Sequence, residues 1–98
     1  MDKKYAAQEA ITHSMMGSLG LKLIEEKEGF IRASMPVNDN TSQPFGVLCG
    51  GASLAFAEII AGYGSYLCCP EGFIPVGSSV SGNHVSSVRK APDVLVYA

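Results

Sequence analysis

The run Val47 to Pro70, VLCGGASLAFAEIIAGYGSYLCCP, decides how the rest of this chain is read. It holds twenty-four residues and one charge, Glu58, close to its middle. Cys49-Gly50-Gly51 followed by Ala, Leu, Phe and Ile predicts a glycine turn opening a helix that is apolar on every face. Such a helix is buried in a protein core or in a membrane. In either place a carboxylate must be paired, protonated or put to use, which makes Glu58 the first place to look for chemistry. Length alone would suit a membrane span, since about 20 apolar residues cross a bilayer. Four glycines between Gly50 and Gly64, an acid at the midpoint and no basic flank argue instead for the buried helix of a soluble domain, without a membrane partner.

Working outward, the 98 residues make one domain, residues 1–98. Only Glu58 is charged between Asn40 and Pro70, and Gly72 to Val88 has no Lys, Arg, Asp or Glu. Uncharged runs of that length predict surface buried against another subunit. A net charge of −2 without basic clusters gives no support for nucleic-acid binding, so no nucleic-acid partner is expected. Three cysteines, two of them adjacent (Cys68, Cys69), do not make a disulfide framework; reduced thiols in a cytoplasmic protein are the simpler reading. No CxxC or clustered histidine pattern points to a metal. The N-terminus MDKKYAAQEA has no signal-peptide hydrophobic region.

Before the central run, Ala7, Ile11, Met15 and Leu19 at four-residue spacing predict an amphipathic helix over Lys4 to Leu19, capped by Gly20. His13 lies off that stripe and reads as a solvated side chain. Leu21 to Glu26 and Gly29 to Met35 predict two strands joined at Glu28-Gly29, with Ile31, Ala33 and Met35 on the inner face. Asn38 to Pro44 is a polar loop. Beyond the helix, Pro70-Glu71-Gly72 is a stop, with Cys68 and Cys69 read as small packing residues. Phe73 to Val88 predicts a long strand with Val76, Ser78, Val80, Gly82 and His84 on one face. Lys90 to Asp93 is a turn, and Val94 to Ala98 begins another strand. Gly62-Tyr63-Gly64 resembles part of a nucleotide fingerprint, but it falls inside the helix with no strand before it. The fold class is α+β: antiparallel strands about one long helix.

The stretch MPVNDNTSQPFGVLCGGASLAFAEIIAG resembles the hotdog-fold acyl-CoA thioesterases. The similarity is to the branch of 1,4-dihydroxy-2-naphthoyl-CoA hydrolases, Arthrobacter-type 4-hydroxybenzoyl-CoA thioesterases and phenylacetate-pathway enzymes. Its pattern, QPFG-x-L-H-G-G-A-S and then a helix with an acid in an A-E context, covers Gln43 to Glu58 here. The resemblance implies an antiparallel sheet wrapped around the central helix, paired into homodimers and commonly homotetramers. It implies hydrolysis of an acyl-CoA, with an aromatic acyl group favoured and no cofactor beyond the coenzyme A of the substrate. Glu58 matches the nucleophile or general base, and Gly50 the glycine whose backbone N–H polarises the thioester carbonyl. Gln43 matches a side chain that positions the thioester. Gly51 adjoins that turn, and His84 falls where some relatives line the acyl pocket.

Physical chemistry supports these roles separately. Free N–H groups at a helix start stabilise a developing oxyanion, glycine admits a ligand to the backbone, and a desolvated glutamate suits base work. Gly50 and Glu58 stand eight residues apart, about 12 Å along a helix. One carbonyl reaches both only if a second subunit supplies one of them, which predicts a shared site at a dimer interface. Arg89 and Lys90 suit either CoA phosphates or an exposed turn.

Three departures from the family stand out. Cys49 replaces the histidine before the glycine pair, Gly62 replaces a Ser or Thr that contacts the site, and the domain is expected to be C-terminally short. They keep a second function open, a non-catalytic acyl-CoA-binding or assembly subunit. A thiol at a helix N-terminus is also a possible nucleophile in its own right.

Overall fold

A computed structural model describes residues 3–98, with side chains from Gln8 onward. Its elements are α1 (Lys3–Thr12), α2 (Met15–Ser18), β1 (Lys22–Lys27), β2 (Phe30–Pro36), α3 (Gly50–Cys68) and β3 (Leu95–Tyr97). The Ala7 side chain of the N-terminal stripe, and Met1 and Asp2 of the export reading, lie outside the described residues.

The predicted N-terminal helix is two helices. Ser14 breaks it: its Oγ donates to Ile11 O at 2.8 Å and accepts from Met16 N–H at 3.2 Å, capping a new helix. The restart turns Met16 inward and leaves Met15 59% exposed, so the four-residue stripe fails at its third position. Gly20 closes the unit with φ +72°, and His13 is exposed as expected.

β1, β2 and β3 form one antiparallel sheet in that order. Gly29, at φ +75°, turns the first hairpin, and a register shift between Leu23 and Glu25 marks a bulge. β2 is the central strand; Ala33 and Met35 are fully buried on it against Phe56, Ile60 and Tyr63 of α3. Those three helix residues follow the 4–3 spacing of one face. Ser34, on the opposite side of the pleat, is buried as well, so β2 is more enclosed than simple alternation predicts. The polar loop is pinned by Thr41, whose Oγ1 donates to Pro36 O at 2.7 Å and accepts from Asn38 N–H at 3.0 Å.

Two expectations fail beyond β2. Phe73 to Val88 holds no strand: no backbone hydrogen bond ties residues 74–87 to the rest of the described chain. Val76 is 83% exposed, and His84 is exposed, so the predicted common inner face does not exist. A strand needs a neighbour for its N–H and C=O groups, and none lies beside this segment. The central helix is likewise not buried all round. Its sheet side is closed, whereas Gly51, Ala57, Ala61 and Ser65 are exposed. Among the described residues no helix is long and apolar enough to cross a membrane.

Candidate active site

The site begins where the loop delivers the chain to α3. Gln43 Oε1 accepts from Phe45 N–H at 2.6 Å, which folds the loop tightly, and Gly46 turns it at φ +87°. Backbone pairing then fixes the helix entrance: Cys49 N–H donates to Thr41 O at 2.9 Å and Leu48 N–H to Val88 O at 2.7 Å. Lys90 N–H returns to Gly46 O at 2.9 Å, so the loop is clamped from both sides. Phe45 itself is 86% exposed at the tip.

Cys49 is the N-cap of α3 and makes no side-chain capping bond. Its carbonyl accepts from Ala52 N–H at 3.0 Å, while the N–H groups of Gly50 and Gly51 find no acceptor among the described residues. Two open donors at the positive end of a nineteen-residue helix make a ready anion-stabilising corner. The imidazole of His84 lies against that corner. A methyl group placed on Gly50 would stand 2.8 Å from His84 Nε2, so glycine at position 50 is what lets the ring approach.

Glu58 projects from the far side of the helix. It lies two residues beyond Phe56, hence about 200° around the axis from the sheet-facing side. It is half-buried, which corrects the expectation of a carboxylate fully withdrawn from water. The segment after the helix runs back along this side, antiparallel to α3: Gly77 meets Glu58, Gly82 meets Leu54, and His84 meets Gly50. Any side chain at Gly77 would collide with the Glu58 carboxylate. Hollows of about 300 and 260 Å³ flank Glu58, lined by Leu54, Gly62, Ser78, Ser79 and Val80 among others.

The structure thus brings Cys49, Gly50, Gly51 and His84 together at the N-terminus of α3, keeps Gln43 in the loop that leads to it, and sets Glu58 and Gly62 two turns and more further along. Within one chain the two groups remain separate. Reading the sequence missed Gly77, Ser78 and Ser79 as neighbours of Glu58; a glycine inside a presumed strand was the available signal, since it often marks a close backbone approach. It also missed Ser42, whose Oγ is buried beside Gln43 without a hydrogen-bond partner among the described residues.

A further hollow of about 550 Å³ lies between the Val37–Asn40 loop and Lys90–Pro92. There Lys90 Nζ meets Asp39 Oδ1 at 2.6 Å, so the one basic side chain in the hollow is already paired. The hydrogen bond and charge of Lys90 hold the Asp39 carboxyl below its ordinary value.

Comparison with known proteins bears on the family and the fold. A family model described as the thioesterase superfamily matches residues 45–98. The chain is 39% identical over 77 residues to the 1,4-dihydroxy-2-naphthoyl-CoA hydrolase of Escherichia coli K12, covering 79% of this chain and 57% of that protein. Among solved structures it is similar to a thioesterase of Haemophilus influenzae, with TM-score 0.81, 38% identity, and coverage of 91% of this chain and 60% of the other. It is also similar to a thioesterase of Staphylococcus aureus, with TM-score 0.77, 31% identity, and coverage of 85% and 67%. That structure carries a glutamine-to-alanine substitution, and a second structure of the same protein carries a glutamate-to-alanine substitution fifteen residues further on. Gln43 and Glu58 are also fifteen residues apart. The chain spans a little over half the length of the first curated relatives it matches, 56% and 57%.

Proposed function

The chain belongs to the thioesterase superfamily, with the hotdog fold, and from that premise we propose that it hydrolyses acyl-CoA thioesters at Glu58. The observation that carries this reading is the position of the one acid on α3. Glu58 stands in a groove beside the Gly77 backbone, on a helix whose first N–H groups are unoccupied. Glu58 acts as nucleophile on the thioester carbonyl or as the base that activates water. The Gly50 N–H, reinforced by the helix dipole, takes the charge that develops on the carbonyl oxygen. Gln43 holds the thioester at the loop, and His84 forms the wall over Gly50. No metal or cofactor is required by this chemistry, since coenzyme A arrives with the substrate. The fifteen-residue spacing shared with the substituted positions of the staphylococcal neighbour supports the pairing of Gln43 with Glu58.

The separation of the two groups, about 12 Å along α3, calls for a second copy of the chain. An antiparallel partner helix would bring Glu58 of one subunit to Gly50 of the other. The uncharged segment 73–88, which has no ladder within one chain, supports such a homodimer. The name of the E. coli relative favours an aromatic acyl group. None of the three cysteines is in a disulfide, which suits a reducing cytoplasm.

Cys49 supports a second reading, a subunit that binds acyl-CoA without turning it over. The thiol stands where the family pattern has a histidine, and it caps nothing. Thiol release from a panel of aromatic and aliphatic acyl-CoAs separates the two. The hydrolase reading expects turnover, increased in Cys49→His. Tight binding with no release by either protein would establish the non-catalytic subunit.

A further inference from the structure

At the end of α3 remote from the N–H corner, the adjacent cysteines border a single cavity of about 570 Å³ between the last helical turns and the β1–β2 hairpin. Its walls are mainly apolar, with Phe30, Ile31, Leu67 and Pro70 around the two thiols. Neighbouring residues within a helix do not share a face. Here the helix stops between them: Cys68 is its last residue, and Cys69 is extended at φ −68°, ψ 148°. Pro70 accounts for that, because the residue before a proline is pushed out of the helical region. Released from the helical spacing, Cys69 lines the same hollow as Cys68, and neither is in a disulfide.

The donor set is narrow. No group of three or more His, Cys, Asp or Glu able to hold a metal ion exists among the described residues, so a zinc ion with its four ligands has no home here. A soft centre that needs only two sulfurs, and brings its own third substituent, fits. Trivalent organoarsenicals are of that kind: two bonds go to sulfur and the third is already made to carbon. We propose that Cys68 and Cys69 are a bidentate thiol site for aryl arsenic(III) compounds, with the aryl group seated in the apolar cavity beside Phe30 and Leu67. With phenylarsine oxide the two S–H bonds and the arsenic–oxygen bonds break, two S–As bonds form, and the oxygen leaves as water with both thiol protons. Arsenic stays trivalent, so no oxidant or reductant takes part. Cys49 cannot join, since it lies roughly 28 Å away along α3.

The test is intact mass spectrometry of the chain treated with phenylarsine oxide and then challenged with glutathione. The expected product carries one reagent less one water and resists the monothiol. Cys49→Ser keeps it, whereas Cys68→Ser and Cys69→Ser each release it at about a hundredfold less glutathione, because the chelate is lost. Arsenite, which has no aryl group to bury, is held about tenfold less tightly. Peptide mapping of the wild-type adduct should show both Cys68 and Cys69 protected from iodoacetamide. A glutathione-resistant adduct in either single variant, alkylation of one of the pair in the adduct, an adduct that requires Cys49, or equal retention of arsenite overturns the proposal.

Discussion

The two long sides of α3 are built on different principles. Towards the sheet, Phe56, Ile60 and Tyr63 meet Ala33 and Met35 across a surface whose backbone is hydrogen-bonded from β1 through β3. Towards the other side, Leu54, Glu58 and Gly62 face a segment that has no ladder and comes close to the helix at Gly77, Gly82 and His84. The first side carries stability, because apolar area is withdrawn from water against a strand, β2, that is hydrogen-bonded on both edges. The second keeps a carboxylate half-buried beside hollow space, which is what a reacting group needs. Changes on one side should therefore be read in folding, and changes on the other in turnover.

The widest separation between the sides is expected at Glu58. Glu58→Ala should lower kcat by about a hundred- to ten-thousandfold, the range for a positioned acid or base, with the melting temperature little changed. A steady-state assay beside a thermal melt reads both. Equal loss of activity and stability would mean that Glu58 belongs to the core after all. On the sheet side the reverse holds. Phe56→Ala should reduce stability by about 3–5 kcal/mol in a denaturant titration, since truncating a buried phenylalanine loses its transfer energy and leaves a cavity. Leu54→Ala, on the half-buried side, should lose markedly less. If the two losses match, the open side is as well packed as the closed one, and the contrast fails.

What was legible in the sequence follows the same division. α3 and the β1–β2 hairpin could be read because their signals are local: the glycine turn at Cys49-Gly50-Gly51 before a long apolar run, the alternation of Ala33 and Met35, and the turn at Gly29. Gln43 to Glu58 was legible as a pattern, and the fold agrees with the family it resembles. The segment 73–88 was not, because its β-forming composition specifies a strand only when something supplies the ladder. The break at Ser14 was hidden too. A side-chain oxygen that can cap a helix or sit within one looks the same in sequence, and here its bonds to Ile11 and Met16 settle the matter. Glu58 was placed on the correct helix but given too much burial, since a helix apolar on all sides need not be covered on all sides by its own chain.

A subtler test moves the carboxylate without removing it. Gly77 approaches Glu58 so closely that a methyl group there must push the carboxylate aside. Because that carboxylate is the far end of a flexible side chain, the fold has an easy way to yield. Gly77→Ala should lower kcat by about a hundredfold, the scale of a 1 Å misplacement, while leaving the denaturation midpoint close to wild type. Wild-type turnover in Gly77→Ala would show that the segment draws away from Glu58 when substrate binds.

The smallest effect is expected where neither side of α3 is involved. Asp39 and Lys90 join the loop before α3 to the turn before β3, at 2.6 Å and in the open. The hydrogen bond from Lys90, and then its charge, lower the folded-state pKa of Asp39 below the unfolded one. The sign follows directly: the pair stabilises the fold above the ordinary aspartate pKa, and the contribution fades as pH falls through the lowered value and Asp39 takes up a proton. Solvent and salt screen so exposed a pair, so the shift is slight. Asp39→Asn should therefore melt a little below wild type at neutral pH in low salt, and at the same temperature once the buffer is acid enough to protonate Asp39. Because the loop is also clamped by Lys90 N–H on Gly46 O and by Thr41, turnover should not follow. A fall in activity that tracks the loss of this pair would instead tie the Asp39 loop to the site and move it to the reactive side of the molecule.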